Sequence, residues 1–126
     1  SWKQFSGVCR MSKSRTDLTY LSDILDAIQA IQDFTQGYDY ESFVNDRKTR
    51  DAVVRNLEVI GEAVKKLSRS IKARYPQVEW RSIAGLRDVL IHDYFGVNYK
   101  EVWAIVTEKI QPLREEIEKI IQLEQT

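Results

Sequence analysis

The chain has 126 residues, one cysteine, one histidine and a formal net charge of zero, with 43% hydrophobic and 30% charged residues. Those figures suit one soluble domain built on a single core. They exclude an intrachain disulfide and a Cys/His zinc site. No apolar run approaches the roughly 18 residues needed to span a bilayer, so a membrane partner is not expected and a reducing, cytoplasmic compartment is.

Residues 1–10, SWKQFSGVCR, lack periodicity and precede Met11. They are expected to be a cloning scar or a disordered N-terminal extension, and with no apolar central run they do not form a signal peptide. A single helical domain is expected over residues 11–126. Thr16 is placed to cap a first helix running to about Gln36, with Gly37 as its stop. Leu18, Leu21, Leu25 and Ile28 recur at three- and four-residue steps, and Ile24, Ile31 and Phe34 widen the stripe. Gly37 to Asp46 reads as a connection with one helical turn near Glu41–Val44.

A second helix is predicted from about Arg47 to Arg69, its seam formed by Val53, Leu57, Ile60, Val64 and Leu67. Glu58 and Glu62 stand one turn apart on another face. Such a pair can bind a metal only with further ligands, so no metal is assigned. Ser70 to Val78 reads as a basic loop or frayed helix end closed by Pro76. A third helix is expected from Glu79 or Trp80 to Tyr94–Phe95, stopped by Gly96 and turning Ile83, Leu86 and Leu90 inward. Asn98 opens a fourth, with Glu101 three residues on in a capping-box-like arrangement. Its stripe is Val102, Val106, Ile110, Leu113, Ile117 and Ile120, and Pro112 should bend or split it. Gly61 and Gly85, inside helices, mark points of close helix approach. Trp80 and Trp103 are assigned to packing in the core or a dimer interface rather than to stacking on bases. The class is all-α: an antiparallel bundle of four to five helices.

The neutral total hides an asymmetry. Thr16 to Asp46 contains seven acids and no Lys or Arg, whereas Ala63 to Arg87 contains Lys65, Lys66, Arg69, Lys72, Arg74, Arg81 and Arg87 against Glu79 alone. The second run fits an anion-binding patch, and equally a solvated face whose charges balance elsewhere in the fold. It ends at Arg87-Asp88-Val89-Leu90-Ile91-His92-Asp93-Tyr94, which holds the only histidine. An imidazole moves protons near pH 7, and a guanidinium holds a phosphate or its transition state. Together they are a minimal kit for cutting a phosphodiester. Residues five apart on an α-helix differ in direction by about 140°, so Arg87 and His92 do not share a face. Either the helix ends before His92, or the long Arg87 reaches round, or two chains pair so that both sets line one groove.

The R-x4-H-x-Y pattern, Asp88 after the arginine, RNLEVIGEAVKKLS (residues 55–68) and PQVEWRSIAGLRDVLIHDYFGVNYKEVW (residues 76–103) resemble HepT-type toxins of the HEPN (higher eukaryotes and prokaryotes nucleotide-binding) superfamily. The similarity runs from Met11 to the C-terminus. It implies a HEPN-like bundle that dimerises, and a metal-independent endoribonuclease toxin leaving 2′,3′-cyclic phosphate and 5′-hydroxyl ends, with no cofactor. By resemblance, Arg87 and His92 are the catalytic pair and Asp88 supports them. Tyr94 is the tyrosine onto which an MntA-type nucleotidyltransferase antitoxin transfers AMP. Lys65, Lys66, Arg69, Lys72, Arg74 and Arg81 are the RNA-binding candidates, for a target such as tRNA or mRNA. Two other readings stay open: a non-catalytic, nucleotide-binding or substrate-presenting partner of a nucleotidyltransferase, and a purely structural bundle in which His92 only caps a helix end and Arg87 pairs with Glu58, Glu62 or Asp88.

Overall fold

The computed structural model describes residues 13–90 and 96–125, and every structural statement below concerns these. The expectations for residues 1–10, and for the stretch from Ile91 to Phe95, lie outside them. Within them the fold is all-α, with no strand.

Helix α1 spans Lys13–Thr35. It starts three residues before Thr16, which is therefore inside the helix and not its cap; Lys13, Ser14 and Arg15 include no Gly or Pro to stop it. Of the expected stripe, Leu21, Ile24, Ile28 and Ile31 are fully buried and Leu18 and Leu25 half-buried, whereas Phe34, near the end of the helix, is exposed at 45%. The helix ends where expected, because Gly37 takes the positive φ of +79° that a side chain would oppose.

The connection that follows is more ordered than its sequence suggests. Asp39 and Ser42 cap each other reciprocally to start α2, Tyr40–Asn45. Asp46 then caps α3, Arg47–Lys66. Its carboxylate accepts hydrogen bonds from Thr49 N (3.1 Å), Thr49 Oγ1 (2.8 Å) and the Tyr38 hydroxyl (2.6 Å). The Tyr38 bond, then those from Thr49, draw its pKa down to about 2.

Helix α3 stops at Lys66, not Arg69. Leu67 turns extended and Ser68 caps a new helix, α4, Arg69–Arg74, largely in the stretch expected to be a basic loop or frayed helix end. The break is held from outside: Asp17 of α1 accepts from Ser68 N (2.9 Å) and Ser68 Oγ (2.6 Å). Those bonds place the start of α1 at the end of α3, so the two helices run antiparallel. The expected third helix is divided as well, into α5, Trp80–Ala84, and α6, Leu86–Leu90, with Gly85 between them. Gly85 is not a close helix approach: a Cβ there would meet only the carbonyls of Arg81 and Ser82, in its own preceding turn. Trp80 is buried and donates its indole N–H to Tyr75 O (2.9 Å), and Trp103 packs on the fully buried Phe43 with ring centroids 5.0 Å apart.

Asn98 caps α7, Tyr99–Ala104, by accepting from Glu101 N at 3.2 Å. The chain then passes through a wider π-helical turn, Ile105–Lys109, into α8, Ile110–Gln125. Pro112 neither splits nor ends the helix. Its ring would crowd the carbonyl of Glu108 one turn back, and the wide turn that includes Glu108 accommodates it. Gln32 and Arg114 pair, and Gln32 donates to Gln111 at 2.7 Å. The end of α1 thus meets the start of α8, and these helices are antiparallel too. The shared core is Leu57 and Ile60 of α3, Leu90 of α6 and Ile110, Ile117 and Ile120 of α8, packed with the α1 stripe.

Candidate functional site around Arg87

Five residues cannot hold a helix in water without tertiary packing, so the position of α6 is set by what lies beneath it. Leu90 is fully buried in the core cluster, and the half-buried Leu86 packs against it. The first turn of α6 is nucleated by Asp88 N donating to Gly85 O at 3.0 Å. With Leu86 and Leu90 fixed inward, Arg87 and Asp88 point to solvent, and both are exposed. Gly61 of α3 lies under this junction: a Cβ built on it would come within 3.2 Å of Ile83 O, 3.7 Å of Ala84 O and 3.7 Å of Leu86 Cβ. The expected close approach is therefore at Gly61.

Among the described residues, Arg87 has no ion pair with Glu58, Glu62 or Asp88. Glu62 is instead 3.4 Å from Lys65. A guanidinium that is exposed and has no carboxylate partner among the described residues has its planar donor fork available to an outside anion. Its sequence partners His92 and Tyr94 lie outside the described residues. The structure thus brings Arg87 and Asp88 together on one short helix.

The RNA-binding candidates divide into two kinds. Lys72 donates to Val64 O at 3.3 Å, closing the end of α3. Arg74 binds Glu124 of α8 through two nitrogens, at 2.7 and 3.2 Å, and Tyr75 donates to the same carboxylate at 2.6 Å. Arg74, then Tyr75, holds the Glu124 carboxyl below its ordinary range, and Glu124 in turn raises the Tyr75 phenol. Lys66 stands over the Tyr20 ring, 6.0 Å from its centroid. Arg69 and Arg81 are exposed, like Arg87.

Beside α6 is a groove of about 390 Å³ that the sequence reading did not anticipate. Leu57 and Ile60 of α3 line it, together with Ile83, Leu86, Ile105 and Leu113, and Glu79, Glu101, Glu116 and Lys109 supply its charges. Its only sequence signal is that Ile83, Leu86, Ile105 and Leu113 continue apolar stripes without becoming fully buried. The other feature missed is at the far end of the bundle. Arg50 donates to Val44 O at 2.9 Å and lies 4.7 Å over the Tyr99 ring, tying α2 and α3 to the residue that opens α7. No helix among the described residues is long and apolar enough to cross a membrane.

Known proteins resemble this chain over most of its length. A Methanocaldococcus jannaschii protein named as an RNase is 50% identical over 103 residues, covering 82% of this chain and 85% of its own. A Thermococcus cleftensis protein named as ribonuclease HepT is 44% identical over 110 residues, 87% of this chain and 98% of its own. A Caldanaerobacter subterraneus protein, also named as an RNase, is 40% identical over 110 residues, again 87% and 98%. No solved structure matches the chain. The model of the HepT-like ribonuclease family matches residues 24–120, most of the chain and all of α3 to α7, and the chain belongs to that family.

Proposed function

We propose that this HEPN-type ribonuclease is the toxin of a toxin–antitoxin pair, and that it cuts RNA without a metal ion at a composite Arg87/His92 site where two protomers meet. One histidine takes the proton from a ribose 2′-hydroxyl, and the 2′-oxygen bonds to the adjacent phosphorus. The bond from phosphorus to the 5′-oxygen breaks, and that oxygen leaves with a proton from the second protomer's histidine. Arg87 bonds the phosphoryl oxygens as negative charge builds on them, and Asp88 orients the pair. The observation that carries the proposal is the exposed Arg87 guanidinium, free of any carboxylate among the described residues and set on a core-anchored helix inside the family match.

The dimer is supported by the half-exposed apolar groove lined by Leu86, the residue before Arg87. A protomer seated there buries apolar surface and sets two Arg87 side chains near one RNA backbone. A net charge of zero disfavours indiscriminate RNA binding, which needs a large cationic surface. A defined target is expected, engaged through the Lys65–Arg87 region. Neutralisation is by a cognate MntA-type nucleotidyltransferase that moves AMP from ATP onto Tyr94. The added phosphate and bulk oppose RNA at a cationic site.

The experiment is cleavage of total cellular RNA by the purified chain, by Arg87→Ala and by His92→Ala, with size-exclusion chromatography of each. Both variants should lose cleavage while keeping the wild-type oligomer. Wild-type rates in either variant would defeat the proposal, and nucleotide binding without cleavage at any dose would favour the non-catalytic partner.

A further inference from the structure

Arg87 owes its position to α6, and α6 rests on the one glycine of α3. Helix α3 is otherwise lined on this side by full side chains, with Leu57 and Ile60 fully buried. At Gly61 the backbone of α3 comes so close to the α5–α6 junction that an added Cβ would lie 3.2 Å from Ile83 O. That is too close for comfortable packing, and the atom met is main chain, which no rotamer change can move aside. The same Cβ would touch Leu86 Cβ at 3.7 Å, one residue before the guanidinium. Any lift at this point passes to Arg87, because Gly85 separates α6 from α5 and, among the described residues, α6 sits on Leu86, Leu90 and this contact.

We propose that Gly61 is a positioning residue for Arg87: by presenting bare backbone, it sets the height and tilt at which α6 offers its guanidinium to the scissile phosphate. The inference rests on the ribonuclease reading above. Gly61→Ala asks the junction to give by a few tenths of an ångström. The helix tolerates alanine better than glycine, so α3 itself is not weakened. Catalytic geometry is less forgiving, since a misplacement of about 1 Å can cost about a hundredfold in rate.

The test is single-turnover cleavage of unfractionated tRNA by the full-length chain, with Gly61→Ala introduced into wild type and into Arg87→Lys. In wild type it should lower the maximal rate by about tenfold, with the half-saturating enzyme concentration unchanged. In Arg87→Lys it should cost less than about twofold, because a residue acting through Arg87 has little left to disturb. Equal losses in both backgrounds, a loss confined to half-saturation, or full activity in Gly61→Ala would overturn the proposal. An unfolded Gly61→Ala chain would also contradict it, since so small a displacement cannot unseat the core. Should the wild-type chain leave both tRNA and total cellular RNA intact while Gly61→Ala folds, the ribonuclease reading fails on its own account.

Discussion

Leu90→Ala tests whether α6 is part of the core or a surface turn that happens to be helical. Leu90 is fully buried, at 0% exposure, in a helix too short to persist without packing. Removing its outer carbons forfeits their transfer free energy and leaves a cavity that the surrounding core cannot fully close. By analogy with fully buried leucines elsewhere, the loss is about 3 to 4 kcal/mol. With a urea slope of about 2 kcal/mol per molar for a chain of this size, the midpoint should fall by about 1.5 to 2 M. The assay is urea unfolding followed by far-UV circular dichroism, with Leu123→Ala as the control, because Leu123 is 60% exposed and should move the midpoint little. A Leu90→Ala shift no larger than that of the control would refute the claim that α6 is held from below.

The other expectations follow from the same geometry. Arg87→Ala, one residue from Leu86 but exposed, should change the stability measured by urea unfolding by less than about 0.5 kcal/mol while lowering cleavage about 10²- to 10³-fold; a large loss of stability would assign Arg87 a structural role. Asp46, with its pKa held near 2, binds its proton less readily in the folded chain than in the unfolded one. Its stabilisation is therefore complete above the ordinary carboxylate pKa of about 4 and lost as pH falls through 2. Asp46→Asn should flatten the fall in stability across that window, and an unchanged acid profile by circular dichroism would rule this out. Gly37→Ala meets no atom within 4 Å but must hold φ near +79°, so thermal melting should show a loss of about 1 kcal/mol from backbone strain alone. A neutral result would mean that the turn after α1 relaxes.

Where burial periodicity alone decides structure, the sequence is legible. Leu21, Ile24, Ile28 and Ile31 name the inward face of α1, and Val53, Leu57, Ile60 and Val64 that of α3, because a stripe of three- and four-residue steps has no competing β pattern. Boundaries set by distant partners are not legible. The break after Lys66 depends on Asp17, 51 residues from Ser68, so the local pattern continues smoothly through it. Gly61 and Gly85 look alike in sequence, both glycines inside apolar periodicity. Only the fold shows that the first meets another helix and the second divides one. The expectation that Pro112 bends or splits the helix assumes normal α spacing, which the π turn before it relaxes.

At the site, Arg87 is legible as a candidate from its spacing to His92 and as exposed from its place between Leu86 and Leu90. The run of bases is less informative. Arg74 is neutralised by Glu124, 50 residues on, and Lys72 donates to a main-chain carbonyl, neither of which a linear charge count can foresee. The groove beside Leu86 is illegible for a related reason: its walls come from three separate stretches of chain, each ordinary alone.

The most direct test of the central claim is the chemistry of the cut ends. The purified chain, incubated with total RNA in EDTA, should yield fragments that mass spectrometry identifies by 2′,3′-cyclic phosphate and 5′-hydroxyl termini. Fragments with 5′-phosphate termini, or cleavage that stops when divalent ions are removed, would contradict an Arg87/His92 site that works through the ribose 2′-hydroxyl.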